Sequence, residues 1–162
     1  YKPVKIIGNN FNNFKYSLGI NKDYIKFNPK GYCSEGGLYF CDETQLDEYI
    51  GLGSYGEYIA RIKLLSKEPI YIENNKCKTN SFEIEEIIPV STYINSLSNL
   101  EKIKMIKVNI LILKYINNQT NEICLEAVKS NGYALQYVIN QTNEICLEAN
   151  KNIKMKNRNI FK

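Results

Sequence analysis

The chain has 162 residues, 44% of them apolar, and a formal net charge of +4. That suffices for one or two small domains with a buried core, and no run of about 18 apolar residues offers a transmembrane helix. The absence of histidine excludes Ser-His-Asp and Cys-His nucleophile activation, His general bases and His-containing zinc sites, so any enzyme must work with carboxylates, Tyr, Lys or Cys.

Ile (23), Asn (22), Lys (19) and Tyr (13) together make 77 of the 162 residues, and all four have A/T-rich codons. The bias describes a genome before it describes a ligand. Residues 1–90 carry 11 basic and 12 acidic side chains, whereas residues 91–162 carry 10 and 5. Lys151, Lys154, Lys156 and Arg158 lie in a C-terminal stretch without an acid. Such a stretch suits a phosphate or an acidic partner, or is simply a solvated end. The five cysteines, Cys33, Cys41, Cys77, Cys124 and Cys146, contain no Cys-x-x-Cys pair, so neither a zinc ribbon nor a thioredoxin motif is expected. Cys33 and Cys41 are close enough to pair if the chain folds back. The odd count and the lack of a visible leader favour a reducing compartment. The start at Tyr1 reads as a fragment or a trimmed product.

In chain order, Phe14-Lys-Tyr-Ser-Leu18 alternates like a half-buried strand, and Asn28-Pro-Lys-Gly31 marks a turn. Gly36-Gly-Leu-Tyr-Phe-Cys41 is a short apolar run in which the glycines permit a tight turn, Leu38 and Phe40 face a core, and Tyr39 faces the other way. Asp42 caps a helix over residues 43–50 that shares Leu46, Tyr49 and Ile50 on one face. Gly51-Leu-Gly-Ser-Tyr-Gly56 approximates a dinucleotide fingerprint, but it follows a helix and precedes a strand, so it reads as a loop. Tyr58 to Leu64 alternates again. Pro69 to Ile72, a turn at Asn74-Asn75, and Ser81 to Val90 complete a small α+β module over residues 1–90.

The second part carries an exact repeat. Asn118-Gln-Thr-Asn-Glu-Ile-Cys-Leu-Glu-Ala127 recurs as Asn140-Gln-Thr-Asn-Glu-Ile-Cys-Leu-Glu-Ala149, 22 residues on. Extending the alignment gives units near 96–117, 118–139 and 140–161, the last losing its pattern after Asn150. A fixed period of this size predicts a stacked array of helix pairs over residues 91–162. Thr120 is an N-cap, Glu122 a first-turn acid, and Ile123, Cys124, Ala127 and Val128 form one buried face. Asn131-Gly132 ends the helix, with glycine in the left-handed conformation of a C-cap. Helices of about 8–10 residues are marginal alone, so each must be buried by its neighbours.

These residues resemble known families. Asn131-Gly-Tyr-Ala-Leu-Gln-Tyr-Val138 with Asn140 to Ala149 looks like short helical repeats in uncharacterised proteins of mimivirus-like giant viruses. Phe27-Asn-Pro-Lys-Gly-Tyr-Cys-Ser-Glu-Gly-Gly-Leu-Tyr-Phe40 resembles a module that precedes ankyrin and other repeats in such proteins, with Lys26 where the module has Pro. Gly37-Leu-Tyr-Phe40 is similar to the Gly-Ile-Tyr-Phe strand of ADP-ribosyltransferases of the poly(ADP-ribose) polymerase type. That last resemblance implies an NAD site around Tyr39, with Glu83, Glu85 or Glu86 as the carboxylate that stabilises an oxocarbenium-like transition state. The family's early-strand His-Gly pair is missing.

The leading expectation is a non-enzymatic protein-interaction or scaffold protein of a giant virus, without metal or cofactor. It would sit in host cytoplasm or virion, with Gln119, Asn121, Gln141 and Asn143 facing a protein partner of host or virus and no role at a membrane. The alternatives are an NAD-binding transferase in residues 1–90 and nucleic-acid binding through the basic C-terminal stretch.

Overall fold

The computed structural model describes residues 3–7, 14–31, 34–51 and 57–160, with only the backbone of 3–7 and 158–160. Cys33 and residues 52–56 of the glycine-rich loop lie outside the described residues. The chain combines helices with an antiparallel sheet and is α+β. Among the described residues no helix is long and apolar enough to cross a membrane. Two compact units follow one another, Tyr1–Val90 and Ser91–Lys162.

Among the described residues the first unit is built on seven strands: β1 Pro3–Ile7, β2 Gly19–Lys22, β3 Leu38–Asp42, β4 Tyr58–Leu64, β5 Ile70–Glu73, β6 Lys76–Thr79 and β7 Ser81–Pro89. Their order in the sheet is β2-β7-β4-β1-β3-β6-β5, with every paired neighbour antiparallel. Leu38, Phe40, Ala60, Ile62, Phe82 and Ile84 form a core, joined by Phe14, Tyr16, Leu64, Cys77 and Ile87. Fully burying a side chain such as Leu, Ile or Phe contributes roughly 1.5–3 kcal/mol. The β4–β7 register passes from Arg61↔Glu86 to Ile62↔Ile84 and skips Glu85. This bulge lets Glu85 and Glu86 both point to solvent while Ile84 and Ile87 both reach the core.

Asp42 caps a turn of 3-10 helix, Glu43–Gln45, in a capping box with Gln45, and α1 (Leu46–Tyr49) follows. Leu46 and Ile50 are fully buried. Asn74, at φ +46°, makes the turn between β5 and β6. The expected strand at Phe14–Leu18 is corrected. Phe14 and Tyr16 do turn inward, and Tyr16 stacks on Phe82 at 6.2 Å. No ladder forms there, however, and β2 begins only at Gly19. The Asn21 side chain accepts from Ser17 N and donates to Ser17 O and Gly19 O, occupying backbone groups that a longer strand would have paired.

The second unit contains most of α2 (Val90–Ser96), then α3 (Asn99–Val108), α4 (Asn121–Ser130) and α5 (Asn143–Ile160). Short 3-10 helices, Ile110–Tyr115 and Gly132–Tyr137, follow α3 and α4. Ser98, Thr120 and Thr142 cap α3, α4 and α5, their hydroxyls accepting from Glu101 N, Ile123 N and Ile145 N. Ile123, Cys124, Ala127 and Val128 form the buried face of α4. Burial pushes the Cys124 thiol above its ordinary pKa, consistent with a small apolar filler. The period also reaches further back than residue 96. Val90, Tyr93 and Ile94 stand in register with Ile112, Tyr115 and Ile116 and with Ala134, Tyr137 and Val138, so α2 is a half-unit that opens the array.

Gly132 is a second correction. It does not adopt positive φ, and α4 ends in an extended Asn131 at φ −150°. Glycine is needed because a Cβ would lie 2.5 Å from Ala149 O and 2.6 Å from Ile153 Cγ1 of α5. In the third unit Ile153 and Lys154 replace Asn131 and Gly132, so the helix runs on without a break.

Gly132→Ala should therefore push α5 outward and lower stability by about 1–3 kcal/mol in denaturant titration; an unchanged midpoint would contradict the close approach. The Tyr16 phenol is raised well above its ordinary 10.0, first by burial and then by the Asp23 carboxylate. Its neutral form is thus favoured by the fold. That contribution is fully present below about pH 10 and is lost as pH rises through the folded value. Alkaline melting of the first unit should be delayed in Tyr16→Phe.

Candidate functional site

Tyr39 projects from β3 between the buried Leu38 and Phe40, and pairs in the ladder with Lys78 of β6. The ammonium groups of Lys76 and Lys78 each lie 5.0 Å from its ring centroid. Glu83, Glu85 and Glu86 stand on β7, and β1 and β4 separate β7 from β3. Three strand spacings of about 4.8 Å put the two groups roughly 14 Å apart. Glu83 pairs with Lys63 at 3.6 Å, Glu86 pairs with Arg61 at 2.6 Å, and Glu85 sits in the bulge. The fold therefore does not assemble the tyrosine and carboxylate that the transferase resemblance required. A hollow of about 380 Å³ lies on the other face, lined by Phe40, Leu64, Ile70, Ile72 and Cys77 among others. Among the described residues no cluster of metal-ligating side chains occurs.

What the Gly-Gly-Leu-Tyr-Phe run does build is a fastened loop. Gly36 and Gly37 have φ of +84° and +121°, values that disfavour any other residue. Gly37 N donates to Asp23 Oδ2 at 2.7 Å, and Asn28 N to Gly36 O at 3.0 Å, which closes the loop between residues 23 and 37. Lys78 is 0% exposed. Its Nζ donates to Lys30 O at 2.7 Å, Ser34 Oγ at 3.0 Å and Ser34 O at 3.4 Å. A Cβ on Gly37 would lie 2.7 Å from Lys78 Cγ, so the glycine makes room for the lysine stem. Nothing near Lys78 in the sequence announces its burial, because its partners lie more than 40 residues earlier.

In the array the side-chain amides do a job that sequence reasoning missed. Gln119 Nε2 donates to Leu113 O and Tyr137 O, each at 2.9 Å, and its Oε1 accepts from Ile139 N at 3.0 Å. Asn95 makes the matching set one unit earlier, donating to Tyr115 O and accepting from Asn117 N. These amides are rungs that tie the end of one unit to the end of the next. Gln141 donates only to Leu135 O and Val138 O, behind it, and is exposed. Asn121 and Asn143 are exposed at the first turns of α4 and α5, with Asn121 Nδ2 3.3 Å from Glu144 Oε2. Of the four polar residues expected to face a partner, Gln119 is thus engaged inside the array, while Asn121, Gln141 and Asn143 are on its surface.

Charges run across the helices in the same register. Lys107 of α3 meets Glu126 of α4 at 3.0 Å, and Lys129 meets Glu126 at 3.1 Å. Hydrogen bonds from these two lysines hold the Glu126 carboxyl below its ordinary pKa. Lys151 pairs with Glu148 at 3.2 Å, and Lys156 reaches Ser130 O at 3.5 Å. Lys154 is exposed, and Arg158 lies on the same helix.

No protein-family model and no solved structure matches the chain. A protein of Acanthamoeba polyphaga mimivirus that carries the name of an ankyrin repeat protein is 33% identical over 73 residues, which is 44% of this chain and 22% of that protein. The chain thus matches less than a quarter of the relative's length. The similarity fits a viral repeat protein and does not single out the glycine-rich module.

Two sets of substitutions test these roles. Lys78→Met should destabilise the first unit by about 2–3 kcal/mol, since it strips a buried charged donor from the Lys30 and Ser34 carbonyls. Gln119→Ala should cost about 1–2 kcal/mol, whereas Gln141→Ala should stay within about 0.5 kcal/mol. Equal effects of the two glutamines would remove the rung assignment.

Proposed function

We propose that the chain is a non-enzymatic interaction protein of giant-virus type, acting in host cytoplasm or virion, whose helical array binds a protein partner. The observation that carries this reading is the division of labour in the repeat. Caps, apolar faces and amide rungs are consumed in stacking, while Asn121 and Asn143 recur at the same exposed place in successive units. A repeated surface of constant spacing is what solenoid proteins offer to macromolecules. The named ankyrin repeat relative supports the same general role.

A second reading has its own support. Residues 151–158 carry four bases and no acid on one helix, an arrangement suited to phosphate.

Asn121→Arg combined with Asn143→Arg should leave thermal melting unchanged and abolish retention of the partner from infected-host lysate. Lys151→Glu, Lys154→Glu and Lys156→Glu together should leave that retention intact. The reverse pattern, with binding to RNA that falls steeply as salt rises, would favour the nucleic-acid reading and displace the first.

A further inference from the structure

Placing the three α-helices of the array in 22-residue register sorts their positions by the direction they face. Positions 101, 123 and 145 hold Glu, Ile and Ile; Glu101 is exposed, and both isoleucines are buried. Positions 105, 127 and 149 follow the same course, half-buried in Met105 and fully buried in Ala127 and Ala149. This face looks back toward the preceding unit. The gradient reverses elsewhere. Ile106 and Val128 are buried but Asn150 is exposed, Lys102 and Cys124 are buried but Cys146 only half so, and Ile103 is 7% exposed where Leu147 is 62% exposed. That face looks forward, toward a following unit.

In the first and the last of these helices the residue type changes together with its exposure. Where the second and third units have isoleucine, the first has Glu101; where the first and second have isoleucine and valine, the third has Asn150. Glu101 takes on another task there, since its Oε2 accepts from Ser98 N at 2.9 Å and Ser98 Oγ at 2.6 Å to complete a capping box. Helix α4 has Ile123 in that position and relies on Thr120 alone. The charge register is interrupted as well. Lys107 finds Glu126 in the next helix, and Glu148 acts on Lys129 in the same sense. A second copy stacked on α5 in the same register would instead set Lys104 opposite Lys151.

We infer that Glu101, Lys104 and Asn150 close the two ends of the array against end-to-end stacking of one copy of this chain on another. A head-to-tail contact propagates into fibres unless its rotation closes a ring, so an array of near-identical units needs such a stop. The inference rests on stacking within the array and is independent of the partner-binding reading.

The test restores interior residues at each end separately and follows mass by sedimentation. Glu101→Ile with Lys104→Glu opens the leading end; Asn150→Val opens the trailing end. The 162-residue chain and each variant of it alone should remain at 18.8 kDa. An equimolar mixture of the two should form a species of twice that mass, and a chain carrying all three changes should grow with concentration. Circular dichroism checks that the helices persist. If Glu101→Ile unfolds the first helix by losing its cap, Glu101→Gln with Lys104→Glu keeps the cap bonds and should still give the mixed dimer, more weakly. The idea is overturned if the unsubstituted chain itself assembles end to end, or if folded variants in the mixture stay at single-chain mass.

Discussion

A helix of ten residues cannot bury its own apolar faces, and this one constraint shapes the second half of the molecule. The α-helices of the array have two sides to cover, and each side is covered only by the unit before or after it. Everything else in the repeat serves that arrangement. The Ser or Thr cap lets a short helix start abruptly, the extended Asn109 and Asn131 turn the chain into a 3-10 segment, and the amide rungs fix how far one unit is displaced from the next. Because the hydrophobic contribution is non-directional, it favours stacking without setting the offset. The rungs, with their angular demands, set it.

The first unit meets a different constraint. Its sheet must hold the glycine-containing loop that leads into strand β3. Two devices keep that loop in place: an aspartate that accepts from a glycine amide, and a lysine buried to the end of its side chain. An ammonium without water is tolerated only where oxygens replace the lost hydration. The carbonyls of Lys30 and Ser34 and the Ser34 hydroxyl supply them. The motif that drew attention to a nicotinamide-type site is, in this fold, a seat for the loop and its lysine.

What could be read beforehand follows from the range of the interactions. The period, the Thr120 cap, the Asp42 cap, the apolar face of α4 and strands β3, β4 and β7 all depend on residues a few positions apart, and the sequence displays them directly. The misjudged features depend on distant partners. The alternation of Phe14 and Tyr16 is real but comes from packing on Phe82, so it imitated a strand. Gly132 was rightly singled out, yet the reason lies in Ala149 and Ile153 and not in its own φ. The grouping of Tyr39 with Glu83, Glu85 and Glu86 failed because strand order, which a single chain does not reveal, inserts β1 and β4 between them. Gln119 read as surface because nothing local announces that its amide spans two units.

The rungs also bear on how such a chain can change length. Asn95 pairs with Tyr115 O and Asn117 N, Gln119 with Tyr137 O and Ile139 N, partners that lie 22 residues apart from one rung to the other, and the helix caps recur with the same spacing. Adding or removing a whole unit between residues 118 and 140 leaves every surviving rung with a correct partner. Inserting a few residues within a unit shifts the amide that spans it past its carbonyl. Length variation is thereby quantised: the array tolerates duplication far better than it tolerates small insertions, and two identical decapeptides 22 residues apart are the kind of record such a rule leaves behind.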